Sequence, residues 1–195
     1  MRAVVGLGNP GSRYEFTRHN VGFDLLNTFA TQNSLIFKPS RQDYYYVKKG
    51  TGASSFLLIK PTTYMNLSGI AVSEVIKKYK IAFEDLLVVQ DDIDLELGKL
   101  KIKQSGFGGG HNGITSIIYY IGTDRFPRLK VGVGKEFKKG KMVEYVLDKF
   151  FPEEMEQLQS VFKYGCELME QFIKGGIKSM LNYFSSSSAI RNNKL

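Results

Sequence analysis

Short apolar runs of strand length alternate along the 195-residue chain with longer segments of helical period, and glycine-rich turns separate them. Residues 3–5, 44–49, 56–59, 86–89 and 129–133 are rich in aliphatic, β-branched and aromatic side chains and are too short for helices. Residues 97–103 alternate, setting Leu97, Leu100 and Ile102 against Lys99, Lys101 and Lys103, with a break at Gly98. Residues 21–30 carry Leu25, Leu26, Phe29 and Ala30 near helical spacing. Residues 68–79 do the same with Val72, Val75, Ile76 and Tyr79, behind Ser68 as a suitable N-cap. Ile114, Ile117, Ile118 and Ile121 repeat at i, i+3, i+4 and i+7. Pro152 opens a long helix with an apolar stripe from Met155 to Ile173, which Gly175-Gly176 ends. Residues 1–184 therefore predict one α/β domain: a single twisted mixed sheet, mostly parallel, flanked by helices on both faces. A polar, flexible tail is expected over 185–195.

In such sheets ligands collect in the loops beyond the carboxyl ends of the strands, and the unusual residues of this chain lie in those loops. Gly6, Gly8 and Gly11 satisfy G-x-G-x-x-G after a strand. A dinucleotide fingerprint, however, needs a helix directly after the second glycine, and Pro10 with the polar residues 12–18 delays the helical pattern to about Val21. No acidic residue closes a second strand at the required distance, and no G-x-x-x-x-G-K-[ST] occurs, which disfavours nucleotide cofactors and P-loop chemistry alike. Cys166 is the one cysteine and belongs to an apolar helical stripe, so it is a core residue; a disulfide framework and a cysteine zinc site are excluded.

The two histidines, His19 and His111, stand in polar, glycine-flanked segments, each followed by an asparagine. With Asp91 they make only the minimum for a zinc site, without short ligand spacing, so no metal is expected. No G-x-S-x-G elbow is present, so water is the expected nucleophile and a histidine its base. Asp91, just past the strand at 86–89, is placed to orient such a ring and raise its pKa. Asn9, Asn66 and Asn112 occupy three separate glycine-containing turns, where a carboxamide can grip a peptide backbone or orient an ester carbonyl without adding charge. Lys and Arg number 27 against 19 Asp and Glu, a net +8 that suits a polyanionic partner. The basic strand at 97–103 and Lys135, Lys138, Lys139 and Lys141 are suited to follow a phosphate backbone, and a non-catalytic RNA-binding module would need only these. The chain has neither a signal-peptide h-region nor an apolar run of membrane-spanning length, so a cytoplasmic protein without membrane contact is expected.

Three segments taken together resemble the bacterial peptidyl-tRNA hydrolase family: Gly6-Leu7-Gly8-Asn9-Pro10-Gly11 with Thr17-Arg18-His19-Asn20-Val21-Gly22, Lys60-Pro61-Thr62-Thr63-Tyr64-Met65-Asn66-Leu67-Ser68-Gly69, and Gly109-Gly110-His111-Asn112-Gly113. The resemblance implies a monomeric esterase without metal or cofactor that hydrolyses peptidyl-tRNA. It implies His19 as general base, Asp91 as its partner and Asn9 as the residue that senses the peptide. Asn66 and Asn112 would position substrate and water, Met65 would line the pocket, and His111 would stand among the substrate-binding residues. Tyr14 and Tyr64 would contact the tRNA end, and Lys103 and Lys130 a tRNA phosphate. The family also implies a mobile segment near 108–113. This chain departs from the pattern at Lys130, usually Arg, and at Gln90 and Tyr64, where other members carry His and Phe.

Overall fold

The structure, a computed structural model, describes residues 1–52 and 55–192, with side chains through residue 187. Its strands are β1 (Arg2–Gly6), β2 (Lys38–Pro39), β3 (Tyr44–Lys49), β4 (Phe56–Pro61), β5 (Leu86–Asp92), β6 (Leu100–Lys103) and β7 (Arg128–Gly132). Its α-helices are α1 (Val21–Gln32), α2 (Ser68–Tyr79), α3 (Asn112–Ile121), α4 (Met142–Leu147) and α5 (Pro152–Asn192). The strands form a seven-stranded sheet in the order β2-β3-β4-β1-β5-β7-β6. The four central strands, β4, β1, β5 and β7, run parallel, and the edges at β3-β4 and β6-β7 pair antiparallel. The expected α/β class and mixed sheet are thus what the chain forms.

The period of two along the buried strands divides the core into two layers. Val4, Leu58, Leu87, Val89, Leu129 and Val131 face α1 and α5, where Leu25, Leu26, Leu168 and Phe172 meet them. Ala3, Val5, Leu57, Ile59, Leu86 and Val88 face the other way, onto Val72 and Val75 of α2 and Ile114 and Ile117 of α3. Because both faces are covered, the central strands read as unbroken apolar runs rather than alternating ones.

Gly6, Gly8 and Gly22 serve close packing. A Cβ on Gly22 would lie 2.6 Å from the backbone N and O of Leu7 and from Val89 O, so α1 enters with its backbone against the ends of β1 and β5. Gly22→Ala should lower stability by about 1–3 kcal/mol through overpacking. An unchanged urea midpoint would mean that α1 is free to move outward.

Some local expectations change. Ser68 begins α2 but is not its cap: its Oγ donates to Met65 O at 2.9 Å within a 3-10 turn (Met65–Leu67), and Leu67 holds the cap position. The basic strand is shorter than expected, beginning at Leu100. The long helix does break at Gly176, whose φ of 70° and ψ of −166° are non-helical, but helix resumes beyond it. Backbone 185–192, expected as part of a tail, continues α5 to Asn192, while 193–195 lie outside the described residues. No helix among the described residues is long and apolar enough to cross a membrane.

Candidate active site

Asp91 lies inside β5 near its carboxyl end, buried, between the two helical layers. His19 arrives from one side on a 3-10 turn (Arg18–Asn20) that leads into α1. His111 arrives from the other side as the N-cap of α3. His19 Nδ1 lies 2.8 Å and His111 Nε2 2.9 Å from the same oxygen, Asp91 Oδ1. The two rings stand 5.0 Å apart between centroids. Their convergence follows from the fold, since α1 and α3 cover opposite faces of the sheet and the residues that lead into them meet at the carboxyl end of the central strand β5.

Burial on its own would lower the His19 pKa, but the charge of Asp91 and its hydrogen bond outweigh it and hold the imidazole above its ordinary value of 6.5. For Asp91, burial would raise the carboxyl; His111 and His19, facing it, prevail and hold it well below the usual carboxylate range. Asp91 is therefore a standing anion at the floor of the site. His19, His111 and Asp91 are also the residues that could reach a common cation among those described, their ligand atoms all lying within 4.8 Å of one another. The 2.8 and 2.9 Å contacts have the length of N–H···O bonds.

A cavity of about 340 Å³ opens above this trio. Asn9, His19, Met65, Asn66, Asp91, His111, Asn112 and Lys130 all line it. Asn9 is buried, and its Oδ1 accepts from Met65 N at 2.8 Å, leaving the Nδ2 amide to the cavity. Its backbone is clamped by the Asn20 carboxamide, which accepts from Asn9 N at 2.8 Å and donates to Asn9 O at 2.9 Å. The Asn66 and Asn112 carboxamides have no protein hydrogen bond among the described residues. Lys130 reaches the rim but pairs with Asp92. Tyr14 and Tyr64 stack edge to face outside the cavity, centroids 6.3 Å apart, with Tyr64 half exposed. Lys103 is exposed on the sheet face beyond it, level with Arg128 across the β6-β7 pair.

Several residues that hold the site carry no motif. Arg18 is buried, places both ends of Glu154 within 3.0 Å, donates to Lys149 O at 2.9 Å, and lies 4.3 Å over the Tyr145 ring. It thereby fastens the His19 turn to the start of α5. Arg128, also buried, donates to Phe107 O at 3.0 Å and to Gly106 O, anchoring the loop that leads to His111. Helix α4 was not expected, because six residues are too few to show a period; its Met142, Val143, Val146 and Leu147 form the apolar wall of the cavity. The only available signal was the apolar pair Met142-Val143 after a lysine-rich loop.

The family profile described as Peptidyl-tRNA hydrolase matches residues 3–193. A peptidyl-tRNA hydrolase of Clostridium botulinum (strain Alaska E43 / Type E3) is 43% identical over 189 residues, covering 97% of this chain and 98% of that protein. One of Alkaliphilus oremlandii is 37% identical, covering 95% of this chain and all of that protein. The crystal structure of peptidyl-tRNA hydrolase from Acinetobacter baumannii superposes with a TM-score of 0.86 at 31% identity, covering 93% of each chain. With both the sequence and the fold matched from end to end, the chain belongs to the peptidyl-tRNA hydrolase family.

Proposed function

We propose that this protein hydrolyses the ester between a peptide, or an N-blocked aminoacyl group, and the 3′-terminal ribose of tRNA, with His19 as general base. The observation that carries this is the single bond from His19 Nδ1 to Asp91 at 2.8 Å, which directs the proton to Nδ1 and leaves the Nε2 lone pair for the cavity. Nε2 takes a proton from a water as its oxygen bonds to the ester carbonyl carbon. The carbonyl oxygen becomes an oxyanion, and amide donors such as Asn9 Nδ2, with Asn66 and Asn112 beside it, stabilise that charge and hold the water. Collapse breaks the bond to the ribose oxygen, which recovers the proton from the imidazolium. The products are free peptide and free tRNA.

Asn9 also supports a preference for peptidyl over free aminoacyl substrates. Its acceptor is already taken by Met65 N–H, so it presents a donor, which suits a peptide carbonyl and opposes an α-ammonium group. The tRNA side falls to the stacked Tyr14 and Tyr64, to Met65 in the pocket wall, and to Lys103 and Lys130 as phosphate contacts. The net charge of +8 favours a nucleic-acid substrate of this kind, in a monomeric cytoplasmic enzyme that needs neither metal nor cofactor.

The test is single-turnover cleavage of N-acetylaminoacyl-tRNA by purified protein in the presence of a chelator. Release of free tRNA is expected, and intact substrate would reject the proposal. The pH profile follows from the sign of the shift. A base works deprotonated, and the His19 pKa is raised, so kcat/KM should climb with pH, pass its midpoint above 6.5 and level off on the alkaline side. A midpoint below 6.5 would contradict it.

A further inference from the structure

Both polar atoms of His111 are engaged by the protein. Nδ1 accepts from Gly113 N at 3.1 Å and from Ile114 N at 3.4 Å, which fixes a lone pair on that nitrogen. The proton therefore sits on Nε2, which donates to Asp91 Oδ1 at 2.9 Å. The ring is left without a free polar atom to offer a substrate, although it borders the cavity. His19 donates to the same oxygen from the other side. One carboxylate oxygen thus carries two N–H donors, one from the base and one from a residue locked into the first turn of α3.

We infer that His111 is a positioning residue that sets the basicity of His19: by sharing Asp91 Oδ1 it holds the carboxylate in place and weakens its pull on the His19 proton. An acceptor oxygen divided between two donors gives less to each. A stronger, unshared pull would stabilise the His19 imidazolium and raise the pH needed to free the base. The helix supplies the rigidity. The cap bonds orient the ring from α3, whose apolar side is buried under the sheet through Ile114 and Ile117, so the second donor stays in place as substrates enter and leave. The other charges at this site are Asp92, Asp94 and Lys130 around the cavity; Lys130 is spent on Asp92, and Arg18, next to His19 in the chain, is spent on Glu154.

The role rests on His19 being the base, and two substitutions separate it from a merely structural one. His111→Asn keeps an N-cap acceptor for α3 but is too short to reach Asp91. His111→Gln keeps an amide donor near the position of Nε2 and weakens the cap. The acid limb of kcat/KM should move up by roughly half a unit to one unit in His111→Asn. In His111→Gln it should stay near the wild-type position, whatever the plateau value. The chain has two histidines, so in His111→Asn the remaining imidazole signal is His19 and its midpoint can be followed directly by NMR, with the same upward shift expected. In the unaltered protein, nitrogen-15 shifts should report an Nδ1–H tautomer for His19 and an Nε2–H tautomer for His111, a readout that does not depend on any variant folding. A limb that stays fixed or moves down in His111→Asn, a rise in KM with the limb fixed, or an Nδ1–H tautomer for His111 would overturn the inference. A fully active His19→Ala would instead remove the catalytic assignment beneath it.

Discussion

His19→Ala should lower kcat on N-acetylaminoacyl-tRNA by roughly 10²- to 10⁴-fold, the usual contribution of a general base, while KM changes only a few fold. The size of the loss reflects the shortage of substitutes. The remaining polar groups of the cavity are carboxamides, which do not accept protons near neutral pH, carboxylates, which are weaker bases than an imidazole, and His111, whose Nε2 is turned to Asp91. Of the carboxylates, Asp91 is held by the two histidines and Asp92 by Lys130, while Asp94 lies 3.9 Å from Lys135. Asp91→Asn should also be severe, because it removes the charge that keeps the His19 proton on Nδ1 and lets the ring adopt the wrong tautomer. The two groups act as one unit, so the double variant should be little worse than the poorer single one. Additive losses would mean that base and carboxylate act independently, and undiminished turnover in His19→Ala would remove the proposed mechanism. Binding of tRNA should survive both changes, since the lysines and tyrosines on the outside are untouched.

The largest loss of stability is expected from Glu154→Ala. Arg18 is 2% exposed, and Glu154 is its only carboxylate partner among the described residues, bound through both oxygens. Removing one member of such a pair leaves a buried charge uncompensated, which costs about 3–5 kcal/mol. In a domain of this size each kcal/mol moves Tm by about 2–4 °C, so a fall on the order of ten degrees is expected in thermal unfolding. Glu154→Gln, which still accepts a hydrogen bond, should fall less. Activity should suffer as well, because Arg18 is the residue next to His19 and its guanidinium fastens that turn to residues 148 and 149. A change in Tm of less than two degrees would show that water or the Tyr145, Phe150 and Phe151 rings suffice for the cation.

The sequence alone determined the place and type of the longer elements, though not of β2, α4 or the last turns of α5, because period and turn chemistry are local properties that show only over enough residues. Strand β3 and helix α2 coincide with the expected ranges, and β1, β4, β5, β7, α1 and α3 differ by a few residues at their ends. The same local chemistry singled out His19, Asp91, Asn9, Asn66, His111 and Asn112, and the family resemblance added Met65 and Lys130; the fold gathers these eight around one cavity, whereas Tyr14, Tyr64 and Lys103 stand outside it. Only the tertiary structure decided how these residues are paired. His19 and Asp91 are 72 positions apart and His111 and Asp91 are 20, yet strand order brings three elements to one carboxylate oxygen. Arg18 meets Glu154 across 136 positions, and no periodicity encodes such a contact. The physical reason is that an apolar stripe needs only to find some core, so its own spacing reveals it. A buried polar atom needs one particular partner at hydrogen-bond distance, and which partner that is depends on the order of strands in the sheet.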